Sequence, residues 1–104
     1  MYRIISQNKK FDIPYDQAML ATWRTKDGAS TVTATVNGTQ FTIGMYKDAV
    51  RASAVMESIR RVYYGTDSAP VFVADEEFMD SLSFAVTRSR ERGDILFALP
   101  RDIE

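Results

Sequence analysis

Apolar and polar residues alternate strictly in STVTATVNGTQFTIGM, residues 30–45. A period of two marks a strand with one buried face. Asn37-Gly38 interrupts the run with the pair that a type I′ turn prefers, because both of its central residues need positive φ. The pattern predicts a hairpin with Val36 opposite Thr39, Ala34 opposite Phe41 and Val32 opposite Ile43. Just upstream, WRTKDGAST contains Asp27-Gly28, and a two-residue loop there sets Trp23 opposite Val32, Ala21 opposite Ala34 and Met19 opposite Val36. The two registers agree on one apolar face, so a three-strand antiparallel meander is expected over about 18–45. Its core face carries Met19, Ala21, Trp23, Val32, Ala34, Val36, Phe41, Ile43 and Met45. The reverse face carries threonines, Thr22, Thr31, Thr33, Thr35 and Thr42, with Gln40.

Beyond the meander the period becomes helical. Ala49, Ala52, Met56, Ile59 and Tyr63 recur at steps of three and four, and Gly65 suits a helix stop, which predicts a helix over about 47–64 with Arg51, Arg60 and Arg61 off its apolar stripe. Pro70 then opens a short strand at 71–73. A second helix is expected over about 76–92, with acids (Asp75, Glu76, Glu77) in its first turn and Arg88, Arg90 and Arg92 in its last, as the helix dipole favours. A last strand, 95–99, ends at Pro100. At the front, Ile4-Ile5 and Phe11 with Ile13 flank a polar turn and read as two short strands. The whole is one α+β domain spanning 1–104: an antiparallel sheet packed by two helices.

Composition narrows the chemistry. With 13 basic and 14 acidic residues the net charge is −1, which gives no whole-molecule attraction to nucleic acid or anionic lipid. Cysteine is absent, so disulfide and thiolate chemistry are excluded. Histidine is absent too, which removes the usual general base and imidazole metal ligand. Without a signal-like or membrane-spanning apolar run, a cytoplasmic location is the expectation.

Three groups of residues have both a structural and a functional reading. Arg60, Arg61, Arg88 and Arg92 are explained by solvated faces and dipole matching, or by a patch that grips phosphates or an acidic partner. Asp75, Glu76, Glu77 and Asp80 cap a helix or supply oxygen ligands to a divalent cation, although their spacing is not that of a calcium loop. Thr33, Thr35 and Thr42 favour strand geometry and keep a sheet soluble, or form a polar docking platform. No aromatic ladder is expected on that platform, which disfavours single-stranded nucleic acid. No phosphate loop, Walker sequence or repeat is present.

The two ends and the first helix carry a resemblance. RIISQ, a polar turn and DIPYDQ, then Val55-Met56, Arg60-Arg61 and Tyr63-Tyr64, then FALPRDIE, are similar to small prophage and integrative-element proteins of Gram-positive bacteria. Those proteins typically open R-[IV]-I-S-Q-D-G before D-[IV]-P-Y and close F-x-F-P-x-D. Here the Asp-Gly of the first turn is replaced by Asn8-Lys9 or Lys9-Lys10, and the segment 75–92 is an addition to the shorter plan. The resemblance implies an accessory protein of a mobile element acting inside a bacterium. It carries over no catalytic or ligand residues.

The leading expectation is a cofactor-free, non-enzymatic binder that inhibits or modulates a host defence protein, an anti-CRISPR-type inhibitor of a CRISPR nuclease being the concrete case. Its candidate contact residues are Arg60, Arg61, Arg88, Arg92, Thr33, Thr35, Thr42, Glu76 and Glu77. The alternatives are a nucleic-acid-associated regulator using the arginines and a small enzyme using carboxylates such as Asp12, Asp16 or Asp75. Self-association through an unpaired sheet edge is a further possibility.

Overall fold

The computed structural model describes residues 2–64, 75–88 and 94–102. In chain order they form β1 (Tyr2–Ile5), β2 (Asp12–Pro14), β3 (Met19–Arg24), β4 (Ser30–Val36), β5 (Thr39–Tyr46), α1 (Ala49–Tyr64), α2 (Glu76–Ser83), β6 (Val86–Arg88) and β7 (Ile95–Ala98). The class is α+β, and the meander β3-β4-β5 is present with α1 packed against all three strands. A second sheet, ordered β2-β1-β7-β6, is added to the expected plan. Its central pair, β1 and β7, is parallel and joins the two ends of the chain, with Ile4 beside Phe97. The expected strand at 71–73 and the stops Gly65 and Gly93 lie outside the described residues.

The turns decide which way each strand faces. At Asn37-Gly38 both residues have positive φ, 52° and 81°, so the type I′ loop forms and Val36 pairs with Thr39. At Asp27-Gly28 only the glycine does, at 90°. The loop there holds three residues, closed by bonds from Thr25 N–H to the Ala29 carbonyl (2.9 Å) and from Gly28 N–H to the Thr25 carbonyl (3.2 Å). The Thr25 hydroxyl donates to Asp27 and is the main reason that this carboxylate lies below its usual range. One extra loop residue moves β3 by one position, so Trp23 pairs with Thr31, Ala21 with Thr33 and Met19 with Thr35. Every side chain of β3 is therefore on the opposite face from the one its two-residue loop predicts.

A second shift corrects β5. Thr42 pairs with Thr33 but Gly44 with Val32, which leaves Ile43 as a bulge and turns Met45 outward. The buried face is Val32, Ala34, Ile43 and Tyr46, with Leu20, Val36 and Phe41 partly covered. Met19, Trp23 and Met45 do not belong to it.

The bulge sits where the two sheets meet. Gln7 N–H donates to the Ile43 carbonyl (2.7 Å), and the Gln7 side chain bonds both the N–H and the carbonyl of Met45 and the carbonyl of Pro100. Tyr46 donates its hydroxyl to the Pro100 carbonyl at 2.9 Å. Burial, and then the negative charge of Asp102, push that hydroxyl well above the usual phenol range, so it remains a donor. A Cβ on Gly44 would lie 2.8 Å from Leu99 Cδ2 and 2.9 Å from the Tyr46 ring. The glycine is required by this close approach, since its φ is not positive.

The first turn closes on Asn8-Lys9. Ser6 is fully buried, donating to Asn8 Oδ1 (2.7 Å) and accepting from Phe11 N–H (3.0 Å), while Lys9 takes φ 66°, the conformation that glycine adopts most easily.

On α1 the buried stripe is Ala52, Val55 and Ile59, rotated toward Val55 from the expected one. This rotation brings Arg51 inside. Its guanidinium bonds Asp75 Oδ2 and Asp102 Oδ1, each at 2.5 Å, and lies 5.4 Å above the Phe78 ring. Asp75 also caps α2 by accepting from Phe78 N–H, and Asp102 accepts from Lys47 N–H. Arg51 thus ties α1, the start of α2 and the C-terminal tail together.

The helix α2 stops at Ser83, well short of residue 92. Ser81 and Ser83 bond back to the carbonyls of Glu77 and Asp80, and Val86–Arg88 leave the helix to pair with β7, Val86 facing Phe97. Pairing with β7 outweighs the helical spacing of Phe78, Leu82, Ala85 and Val86.

Two stability measurements test this account. Gly44→Ala is expected to cost about 1–3 kcal/mol, the usual range for overpacking, read as a lower denaturant midpoint at unchanged slope. Arg51→Met leaves Asp75 and Asp102 without their cation and is expected to cost about 3 kcal/mol in the same assay, whereas Arg60→Met should cost under about 1 kcal/mol because its partner Glu57 is solvent-exposed.

Candidate functional site

The shifted register of β3 and the bulge in β5 create a face that the alternation alone does not reveal. Trp23, Thr31 and Met45 form one row across the three strands, Ala21, Thr33 and Thr42 the next, and Met19, Thr35 and Gln40 the third. The helix α1 covers the other face, where Thr22 borders it beside Ala54 and Met56. Met19 is 69% exposed, Trp23 57% and Met45 52%. Large apolar side chains thus stand at three corners of a field of hydroxyls and an amide.

Trp23 is held in place. Its indole N–H donates to Thr33 Oγ1 at 3.0 Å, so the ring leans over the middle row, and Thr33 is buried to 4% exposure. Thr33 and Thr31 direct their hydroxyls at the carbonyls of Ala21 and Trp23, at 3.4 Å. A half-exposed aromatic ring locked by its own sheet loses little freedom when a partner covers it.

The predicted contact residues do not converge. Thr35 and Thr42 lie on the open face, but Thr33 is satisfied beneath Trp23 and offers no hydroxyl to a partner. Thr22, expected with the threonines, is on the α1 side. Arg60 and Arg61 are on α1, both bonded to Glu57, at 3.1 and 3.3 Å. Arg88 is the last residue of β6, so it does not share a helix face with Arg92, which lies outside the described residues. Glu76 and Glu77 are exposed in the first turn of α2.

The acidic candidates are likewise dispersed. Asp75 is held by Arg51, and Asp12 is 2.6 Å from Arg3. Asp16 borders a groove of about 480 Å³ with Tyr15, Leu20, Met56 and Arg60. Among the described residues, no group of three or more acidic side chains is placed to hold a metal ion, and no helix is long and apolar enough to cross a membrane.

The residues that sequence reasoning missed are Trp23, Met19 and Met45, which were expected in the core. For Trp23 and Met19 the signal is Asp27-Gly28 followed by a small residue, which suits a two- or a three-residue loop; Met45 is turned out by the bulge at Ile43, which no local pattern marks. No protein-family model matches the chain, and no curated protein or solved structure matches it.

The placement of Trp23 predicts a measurable difference. Trp23→Ala should lower stability by about 1 kcal/mol, not the 3–5 kcal/mol of a core tryptophan. As the chain has one tryptophan, acrylamide should quench its fluorescence efficiently in the folded protein.

Proposed function

We propose that this chain is a non-enzymatic binding protein that works through the open face of its three-strand sheet. The partner we propose is a bacterial host protein, a CRISPR nuclease being the concrete case. That choice follows from the resemblance of the two ends and α1 to mobile-element proteins. The contact surface follows from one observation: Trp23, with Met19 and Met45, stands exposed on a rigid sheet and is surrounded by hydroxyl and amide groups. Tryptophan dominates the energetics of protein interfaces, and methionine adapts its shape to a partner. A polar surround that excludes water from such an anchor is the usual arrangement at a hot spot.

Nucleic acid fits this surface less well. Stacking on single strands needs several aromatic rings along a basic groove, whereas Trp23 is the one ring among these nine positions. Arg60 and Arg61 belong to the helix behind the sheet and share the carboxylate of Glu57.

The test compares the native chain with Trp23→Ser/Met45→Ser as immobilised bait. Each is offered a lysate of a Gram-positive host and a purified CRISPR nuclease with guide RNA. A protein bound by the native chain and weakened about tenfold or more by the paired substitution supports the proposal. Equal retention by both baits, retention of RNA alone, or retention of nothing overturns it.

A further inference from the structure

The meander has two outer edges that are treated differently. On the β5 side, Gln7 bonds the Ile43 carbonyl through its N–H and both backbone groups of Met45 through its side chain. On the β3 side, no backbone group among the described residues pairs with the strand. The bond from Thr25 N–H to the Ala29 carbonyl sets the alternation along β3. Trp23, Ala21 and Met19 therefore turn their backbone groups toward β4, and Leu20, Thr22 and Arg24 turn theirs outward. This edge, MLATWR, has no proline and no bulge, two usual devices against strand addition, and its one charged residue, Arg24, stands at its very end.

We propose that the β3 edge pairs with the β3 edge of a second copy, antiparallel about a two-fold axis through Ala21, to give a continuous six-strand sheet. In this register Leu20 faces Thr22 of the second copy and Thr22 faces Leu20. Both are outward-bonding residues, so the seam forms four backbone hydrogen bonds. A one-residue shift sets outward groups against inward ones and forms none. The side chains are self-complementary in the same register. Met19 falls beside Trp23 of the second copy, a sulfur–aromatic pairing, and Ala21 meets Ala21 with no bulk at the axis.

The α1 side of the seam fits as well. Between the β3 edge and α1 run two open grooves, of about 440 and 480 Å³. Arg60 borders both, with Glu57 in one and Asp16 in the other. Because each copy brings both signs to the same edge, a two-fold contact can place each Arg60 near carboxylates of the other copy, as an isologous interface requires. The pairing does not rest on the binding function proposed above. It joins the two open faces edge to edge into one continuous face, on which Met45, Thr42 and Gln40 stay clear of the seam.

Light scattering of the full chain at about 0.3 mM should give twice the chain mass, falling toward the monomer on dilution. Thr22→Pro removes an outward N–H that takes no part in the β3-β4 ladder, and it should weaken the dimer at least tenfold with an unchanged circular dichroism spectrum. Ala21→Cys supplies an independent readout, since the chain has no cysteine of its own. Facing residues of a non-hydrogen-bonded pair have Cα atoms about 4.5 Å apart, within disulfide range, so this variant should oxidise to a covalent dimer. Thr42→Cys, two strands from the seam, should remain a monomer. A native chain that is monomeric at the highest concentration overturns the proposal and leaves the edge for a strand of another protein. A Thr22→Pro dimer as tight as the native one, or cross-linking of Thr42→Cys as fast as Ala21→Cys, also overturns it.

Discussion

The two sheets are joined beside Gly44, where the Gln7 N–H bonds the Ile43 carbonyl. There the ring of Tyr46 and the side chain of Leu99 occupy the space that any Cβ would need. Close packing leaves no room for a compromise at such a point. The bulge lets the Ile43 carbonyl reach Gln7, lets Tyr46 turn into the core and bond Pro100, and turns Met45 out to the surface. One local irregularity thus serves the core and the open face together.

Residues from both ends of the chain meet around this junction. Ser6 and Gln7 belong to RIISQ, and Pro100 and Asp102 belong to the closing tail. Ser6 shapes the first turn, Gln7 and Pro100 join the sheets, and Asp102 holds Arg51. These residues act on one another, which makes them scaffold. The groups left facing outward, Trp23, Met19 and Met45, lie in the meander: Met45 has its backbone held by Gln7, and Trp23 and Met19 are on β3, the far strand of that sheet.

Arg51 illustrates how charge is read differently in sequence and in space. Along the helix it is one arginine among three, and a solvated position is the simplest assignment. In the fold it is buried between Asp75 and Asp102 and over Phe78. Charge is tolerated there because both carboxylates are placed to bond it, and removing one member exposes the desolvation cost of the others. The partners are 24 and 51 residues away in the chain, so no local pattern marks the site.

Local chemistry was legible where it admits one solution. Asn37-Gly38 dictates a two-residue turn, alternation dictates strands, and steps of three and four dictate α1; the α+β class follows from these. What local chemistry leaves open, tertiary structure decided. Asp27-Gly28 suits a loop of two or three residues, and with a period of two that single residue transfers Trp23 from core to surface. Residues 86–88 suit helix or strand, and the edge of β7 takes them as β6. The buried place of Arg51 and the bulge at Ile43 depend on groups distant in the chain. Sequence determines a preference when the competing conformations differ in local energy; when they do not, the burial of one face over the other makes the choice, and that energy exists only once the core has formed.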